Sequence, residues 1–283
     1  MDATKIGIVG AGTMGSGIAQ AIALAGLEVV ITDVAKAQLE RATATVAGSL
    51  DRLIKKEKLT AEQKAQALGR IRTSTELAAA KDCQVVIEAA TENVELKLKI
   101  FAQLDALLPR EAVIATNTSS ISITRLAGAT RRPDKVIGMH FFNPVPVMAL
   151  VELIRALQTS DVTFAAAEAL VKKIGKTPVQ VRNSPGFVVN RLLCPMINEA
   201  VFALGEGLAS AEQIDQAMKL GANHPIGPLA LADLIGLDVE LAVLQVLYEG
   251  FKDPKYRPAP LLVEMVEAGQ LGRKTKRGFF RYD

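Results

Sequence analysis

The sequence predicts an α/β chain: a doubly wound, mostly parallel sheet with a helical-hairpin insertion, followed by an all-α C-terminal domain. Three observations predict it. From Lys5 to about Val181, short β-branched runs alternate with longer helical patterns, the signature of a parallel sheet with helices on both faces. A glycine turn, Gly10-Ala11-Gly12-Thr13-Met14-Gly15, joins the first run to the first helical pattern. Beyond Asn183 the alternation stops and helical patterns fill the rest of the chain.

Taken in order, the candidate strands are Ile6–Val9, Val29–Thr32, a weak Ile71–Thr73, Val85–Glu88, Val113–Ala115, Val136–Met139, Leu150–Leu153 and Val179–Val181. The stretch from Ala35 to Gly69 is too long for a simple crossover and predicts a helical hairpin projecting from the sheet. Ser184, Pro185 and Gly186 make a break with helix-starting chemistry, since Ser caps and Pro is tolerated in the first turn. Helices are expected over Phe187–Gly205, Ala211–Leu220 and Leu237–Phe251. The expected domains are therefore 1–184 and 185–283, which also fits a length beyond the usual limit of one core.

Composition narrows the function classes. With 49% hydrophobic and 22% charged residues the chain has the composition of a globular protein rather than a disordered one. The net charge of +3 is too small to imply nucleic acid or a membrane surface as partner. Cys83 and Cys194 form neither a zinc spacing nor a disulfide framework, so reduced thiols and no metal are expected. The start, from Met1 through Lys5 into an apolar strand, lacks the pattern of a signal peptide, which favours a cytoplasmic protein. The most apolar stretch, Gly227 to Phe251, is interrupted by Asp233, Asp238 and Glu240 and falls short of the roughly 20 residues a membrane span needs.

The glycine turn has a physical use. Gly10 permits the tight turn, Gly12 admits a pyrophosphate close to the backbone and Gly15 lets the helix pack closely, with the amides of Thr13 and Met14 in its first turn. Asp33 ends the second strand about 20 residues on, where a carboxylate accepts hydrogen bonds from ribose hydroxyls and repels a ribose phosphate. In this order of strand, turn, helix, strand and acid, the segment predicts a Rossmann-type fold that binds NAD in preference to NADP. Lys36, close by, is the residue that tempers the preference.

Only two histidines exist, so the search for a group that titrates near neutrality is short. His140 follows a predicted strand and opens His140-Phe141-Phe142-Asn143-Pro144-Val145-Pro146, at a carboxyl end where open α/β sheets bind ligands. Glu152 sits in the apolar run Leu150–Leu153, where an unpaired carboxylate would be costly. Paired with His140, it would orient the imidazole and leave the other nitrogen to exchange a hydroxyl proton. Asn117-Thr118-Ser119-Ser120 follows another strand, and Asn190 interrupts an apolar run in the second domain; both offer hydrogen bonds to a substrate oxygen, with Asn190 reaching back across an interdomain cleft. Each also has a purely structural reading as a turn, packing or core residue. His224, in a turn that starts a helix, reads as structural. On the hairpin, Ser49, Arg52 and Lys56 share one face beside Val46, Leu50 and Leu53, a place for phosphates or merely a solvated face.

These motifs resemble those of the L-3-hydroxyacyl-CoA dehydrogenases, and within them the bacterial 3-hydroxybutyryl-CoA dehydrogenases, over essentially the whole chain. Besides the glycine turn, the resemblance is carried by Val86 to Asn93, Asn117 to Ser120, Gly138 to Pro146 and Asn183 to Arg191. It implies that His140 is the catalytic base, Glu152 its orienting acid, and Ser119 and Asn190 the holders of the substrate's 3-oxygen and thioester. It implies NAD contacts at Asp33, Glu92, Lys97, Asn117, Asn143 and Lys274, CoA contacts at Ser49, Arg52 and Lys56, an acyl-CoA substrate, and a homodimer. Lys276-Arg277 before Gly278 departs from the family pattern near Lys274. The rival expectations are a gulonate-type sugar-acid dehydrogenase and a crystallin-like structural protein on the same scaffold.

Overall fold

The predicted alternation of strands and helices is the architecture of the computed structural model, which describes residues 3–283 and divides after Ser184 into two compact units. In the first unit, strands β1 (Lys5–Val9), β2 (Glu28–Thr32), β3 (Ile71–Ser74), β4 (Val85–Glu88), β5 (Val113–Thr116), β6 (Val136–Phe141), β7 (Leu150–Arg155) and β8 (Thr177–Arg182) form one sheet in the order β3-β2-β1-β4-β5-β6-β7-β8. The strand order reverses between β1 and β4, which places a ligand-binding crevice at their carboxyl ends. Helices α1 (Thr13–Leu24), α2 (Lys36–Lys55), α3 (Ala61–Gly69), α4 (Val94–Leu107), α5 (Ile123–Ala127) and α6 (Asp161–Lys173) complete the unit. The central strands β4, β5 and β6 are buried throughout, as their near-continuous apolar runs require. Pro178 is accommodated because β8 is an edge strand.

Two departures from expectation matter for the site. Strand β6 runs on to Phe141, so His140 lies within the strand instead of closing it; Phe141 is buried and its N–H donates to Asn117 Oδ1, which extends the ladder. Strand β7 runs antiparallel to β6. The link from Phe142 to Ala149 is shorter than the dozen or so residues a parallel crossover needs. The hairpin also packs more closely than expected. Leu39, Ala42, Val46 and Leu50 of α2 and Ala67 of α3 join the core with Ile18, Ala19 and Ile22 of α1, so the hairpin lies on α1 rather than standing clear of the sheet. A capping box of Thr60 and Gln63 starts α3, and Lys64 bonds Asp51 across the hairpin at 2.6 Å.

The second unit is helical: α7 (Val189–Gly205), α8 (Ala211–Gly221), α9 (Pro228–Ile235), α10 (Leu237–Phe251) and α11 (Pro260–Glu267). Helix α7 begins later than Phe187 and is not capped by Ser184. Gly186 and Phe187 both adopt left-handed backbone angles (φ 70° and 50°), which turns the chain before the first helical residue. Helix α9 starts with Pro228, and Asp215 accepts from the N–H groups of Leu229 and Ala230 at 2.8 and 2.9 Å. The core gathers Ile197, Val201, Leu229, Leu237, Leu244 and Leu262. Cys83 and Cys194 are buried free thiols. Among the described residues no helix is long and apolar enough to cross a membrane, and no cluster suits a metal ion.

Glu240 of α10 is 0% exposed, and apart from a weak contact with the Cys194 thiol neither carboxylate oxygen has a hydrogen-bond partner. Burial pushes its carboxyl up to about 7, an effect that the weak thiol donor of Cys194 only partly offsets. A raised carboxyl pKa means stability that is complete on the acid side and lost as pH rises from the unfolded value toward 7. The Glu240→Gln variant should match the parent near pH ~5 and exceed it by on the order of 3 kcal/mol near pH ~8 in urea unfolding. Parallel pH profiles for the two proteins would contradict a buried, neutral acid here.

Candidate functional site

The glycine turn leaves β1 at the point where the strand order reverses. Gly10 has φ 107°, and a Cβ there would fall 2.6 Å from the Ala89 carbonyl oxygen. A Cβ on Gly15 would come within 1.9 Å of Gly10 O, so only glycine lets α1 begin directly over the turn. Gly12, the N-cap of α1, faces open space and supplies no side-chain acceptor, and no acidic residue stands in the first turn. The leading N–H groups, including those of Thr13 and Met14, are therefore available to an anion. Asp33 is fixed beside them, accepting from the N–H groups of Ala11 and Ala35 at 2.9 Å each. This cradle, free of side chains and flanked by an acid, fits a dinucleotide with its pyrophosphate on α1 and a ribose at Asp33.

At the ends of β4 and β5 the expected residues form one ionic network. Lys97 is 1% exposed, with Nζ 2.7 and 2.8 Å from the two oxygens of Glu88 and 3.3 Å from Glu92. What Lys97 gives this region is the orientation of two acids, since its own ammonium is enclosed. Glu88 also accepts from Thr116 Oγ1 and the Ala90 N–H, both at 2.7 Å. Glu92 in turn accepts from Thr118 Oγ1 and the Ser119 N–H at 2.7 Å each, and from Ser119 Oγ at 3.3 Å. The segment carrying Ser119 is thus pinned to the acid at the head of α4.

His140 and Glu152 are direct cross-strand partners in the antiparallel β6–β7 pair, which puts both side chains on one face of the sheet. Nδ1 of His140 lies 2.8 Å from Glu152 Oε2, and both side chains are buried, Glu152 to 1% exposure. An ionised Glu152 can only accept, which assigns the proton of a neutral His140 ring to Nδ1 and leaves Nε2, on the opposite edge, as the proton-accepting nitrogen. The Phe142 ring lies 4.5 Å from the imidazole, centroid to centroid. Asn117 is tied to this strand through Phe141, so it braces the neighbourhood of the histidine.

Ser49, Arg52 and Lys56 line one wall of a cavity of about 380 Å³, together with Val46 and Leu53. The opposite walls come from Thr13 and Gln20 of α1 and from Asn143 to Val147 of the β6–β7 connection. Asn143 and Thr13, expected at a cofactor, thus also share a cavity with the hairpin residues. In the second unit, Asn190 stands half-buried in the first turn of α7 and Lys274 pairs with Asp238. His224 sits in the turn before α9, its N–H bonded to Met218 O at 3.3 Å. Sequence reasoning missed Glu88, Thr118 and Gln20. For Glu88 the signal existed: like Glu152, it is an acid in an apolar strand.

A sheet that reverses at an open glycine cradle, with an acid-held imidazole further along its carboxyl edge, defines a dinucleotide-dependent oxidoreductase. Comparison with known proteins sharpens the class. The family model described as 3-hydroxyacyl-CoA dehydrogenase, NAD binding domain, matches residues 5–184, and that of the C-terminal domain matches residues 186–282. A 3-hydroxybutyryl-CoA dehydrogenase of Bradyrhizobium diazoefficiens is 55% identical over 98% of this chain and 95% of its own. Another, from Clostridioides difficile, is 52% identical over 99% of each. The crystal structure of (S)-3-hydroxybutyryl-CoA dehydrogenase from Ralstonia eutropha superposes with a TM-score of 0.97 at 65% identity, covering all of both chains. The chain belongs to the 3-hydroxyacyl-CoA dehydrogenase family, an NAD-dependent family of oxidoreductases that act on acyl-CoA substrates.

Proposed function

We propose that this enzyme interconverts (S)-3-hydroxybutyryl-CoA, with related short-chain 3-hydroxyacyl-CoA thioesters, and acetoacetyl-CoA. The observation that carries the reading is the buried His140–Glu152 pair at 2.8 Å, and the names of the relatives support the substrate. NAD, when bound, supplies or accepts the hydride at the 3-carbon. His140 takes the 3-hydroxyl proton on Nε2 during oxidation and returns it during reduction, while Glu152 stabilises the charged ring. Ser119 and Asn190 hold the substrate's 3-oxygen and thioester. The turn from Gly10 to Gly15 and Asp33 hold the cofactor, with Glu92, Lys97, Asn117, Asn143 and Lys274 as further contacts or supports. Ser49, Arg52 and Lys56 take the CoA phosphates. Residues 1–184 form the cofactor domain and 185–283 the substrate and dimerisation domain of a cytoplasmic homodimer.

The test is a direct assay of purified protein with NADH and acetoacetyl-CoA, set beside NAD with a free sugar acid such as gulonate. Turnover of the thioester alone is expected. Activity on the sugar acid alone, or on neither, would sink the proposal. Within it, Lys56→Ala should raise KM for acetoacetyl-CoA several-fold and leave kcat nearly unchanged, because a remote phosphate contact is shared by ground and transition states. An equal rise with acetoacetyl-pantetheine, which lacks those phosphates, would remove Lys56 from phosphate binding.

A further inference from the structure

Facing Ser49, Arg52 and Lys56, the α1 wall of the cavity presents Thr13, Ser16, Gly17 and Gln20, one face at helical spacing. Ser16 is satisfied locally, its hydroxyl donating to Gly12 O at 2.9 Å. Gln20 is not. It is 2% exposed, its Nε2 has no hydrogen-bond partner, and its neighbours on α1 are the buried apolar residues Ile18, Ala19, Ile22 and Ala23. It also borders a second cavity of about 360 Å³, which shares Leu53 and Pro146 with the first and includes Lys176. A buried amide N–H₂ group without a partner is rare, because the lost hydration is not recovered. A leucine or methionine of similar volume would suit this helix face better in the protein alone.

The group is therefore matched to something that enters from the cavity. A phosphate would be better met by the cations on the facing helix, whereas an unpartnered neutral N–H₂ donor complements the carbonyl oxygen of a neutral secondary amide. We propose that Gln20 is a positioning residue that reads an amide of the pantetheine arm of the CoA thioester. The assignment rests on the acyl-CoA reading above and deepens it.

The test uses full-length Gln20→Leu and Gln20→Met with NADH and three substrates that share the reacting 3-oxo thioester: acetoacetyl-CoA, acetoacetyl-pantetheine and S-ethyl acetothioacetate. Loss of one neutral hydrogen bond should raise KM about three- to tenfold for the two pantetheine-bearing substrates, with kcat retained. The S-ethyl ester, which has no amide, should be handled equally by parent and variants. The Tm of the ligand-free variants should equal or exceed that of the parent, since an unpaired buried polar group has been removed. An unchanged KM for acetoacetyl-pantetheine overturns the proposal, as does an equal loss on the S-ethyl ester or a lowered Tm in both variants, either of which would mark Gln20 as structural. Absence of turnover of acetoacetyl-CoA by the parent protein would instead overturn the acyl-CoA reading itself.

Discussion

His140→Gln is expected to lower kcat for acetoacetyl-CoA reduction by about 10²- to 10⁴-fold, the usual contribution of a positioned general acid or base. Glutamine is chosen because its carboxamide can still donate to Glu152, which is 1% exposed and would otherwise be left as an unpaired buried charge. It cannot take up a proton near neutral pH. The Kd for NADH should stay within about twofold of the parent value, since the glycine cradle and Asp33 are separate from the β6–β7 pair. His140→Ala should show the same kinetic loss with an added loss of stability, because it vacates the bond to Glu152 as well. A kcat near that of the parent in the glutamine variant would remove His140 from proton transfer, whatever its part in the fold.

The pairing of His140 with Glu152 was legible because of polarity. An acid within an apolar run needs a partner, and few residues could serve. Its geometry was less so: a chain read as parallel strands does not put residues twelve apart opposite each other, whereas the antiparallel β6–β7 register does. Glu88, at the end of the apolar strand β4, carried the same signal. Lys97 shows the reverse limit. A lysine on a helix reads as exposed, and only the fold reveals that its ammonium is enclosed between Glu88 and Glu92. Gln20 left no trace, since one glutamine in an amphipathic pattern is ordinary until its surroundings prove dry. Ser184 and Pro185 misled for a local reason: their helix-starting chemistry is real, yet the left-handed pair Gly186 and Phe187 postpones the helix.

Lys97→Met should destabilise the protein by about 3–5 kcal/mol, the largest stability effect expected of any single substitution at the site. Glu88 is 0% exposed and would keep its charge with only Thr116 Oγ1 and the Ala90 N–H to stabilise it. The acid must then remain as an undercompensated buried charge or take up a proton, and both routes cost stability at neutral pH. The double variant Glu88→Gln/Lys97→Met removes both charges at once. It should recover a large part of the loss, because a neutral amide can still accept from one donor and the methionine fills the lysine's apolar track. Urea unfolding of the parent, both single variants and the double variant measures the coupling directly. A double variant no more stable than Lys97→Met would show that the lysine's worth lies elsewhere, in its hold on Glu92 and through it on the Ser119 segment. In that event KM for acetoacetyl-CoA should rise in Lys97→Met and stay raised in the double variant.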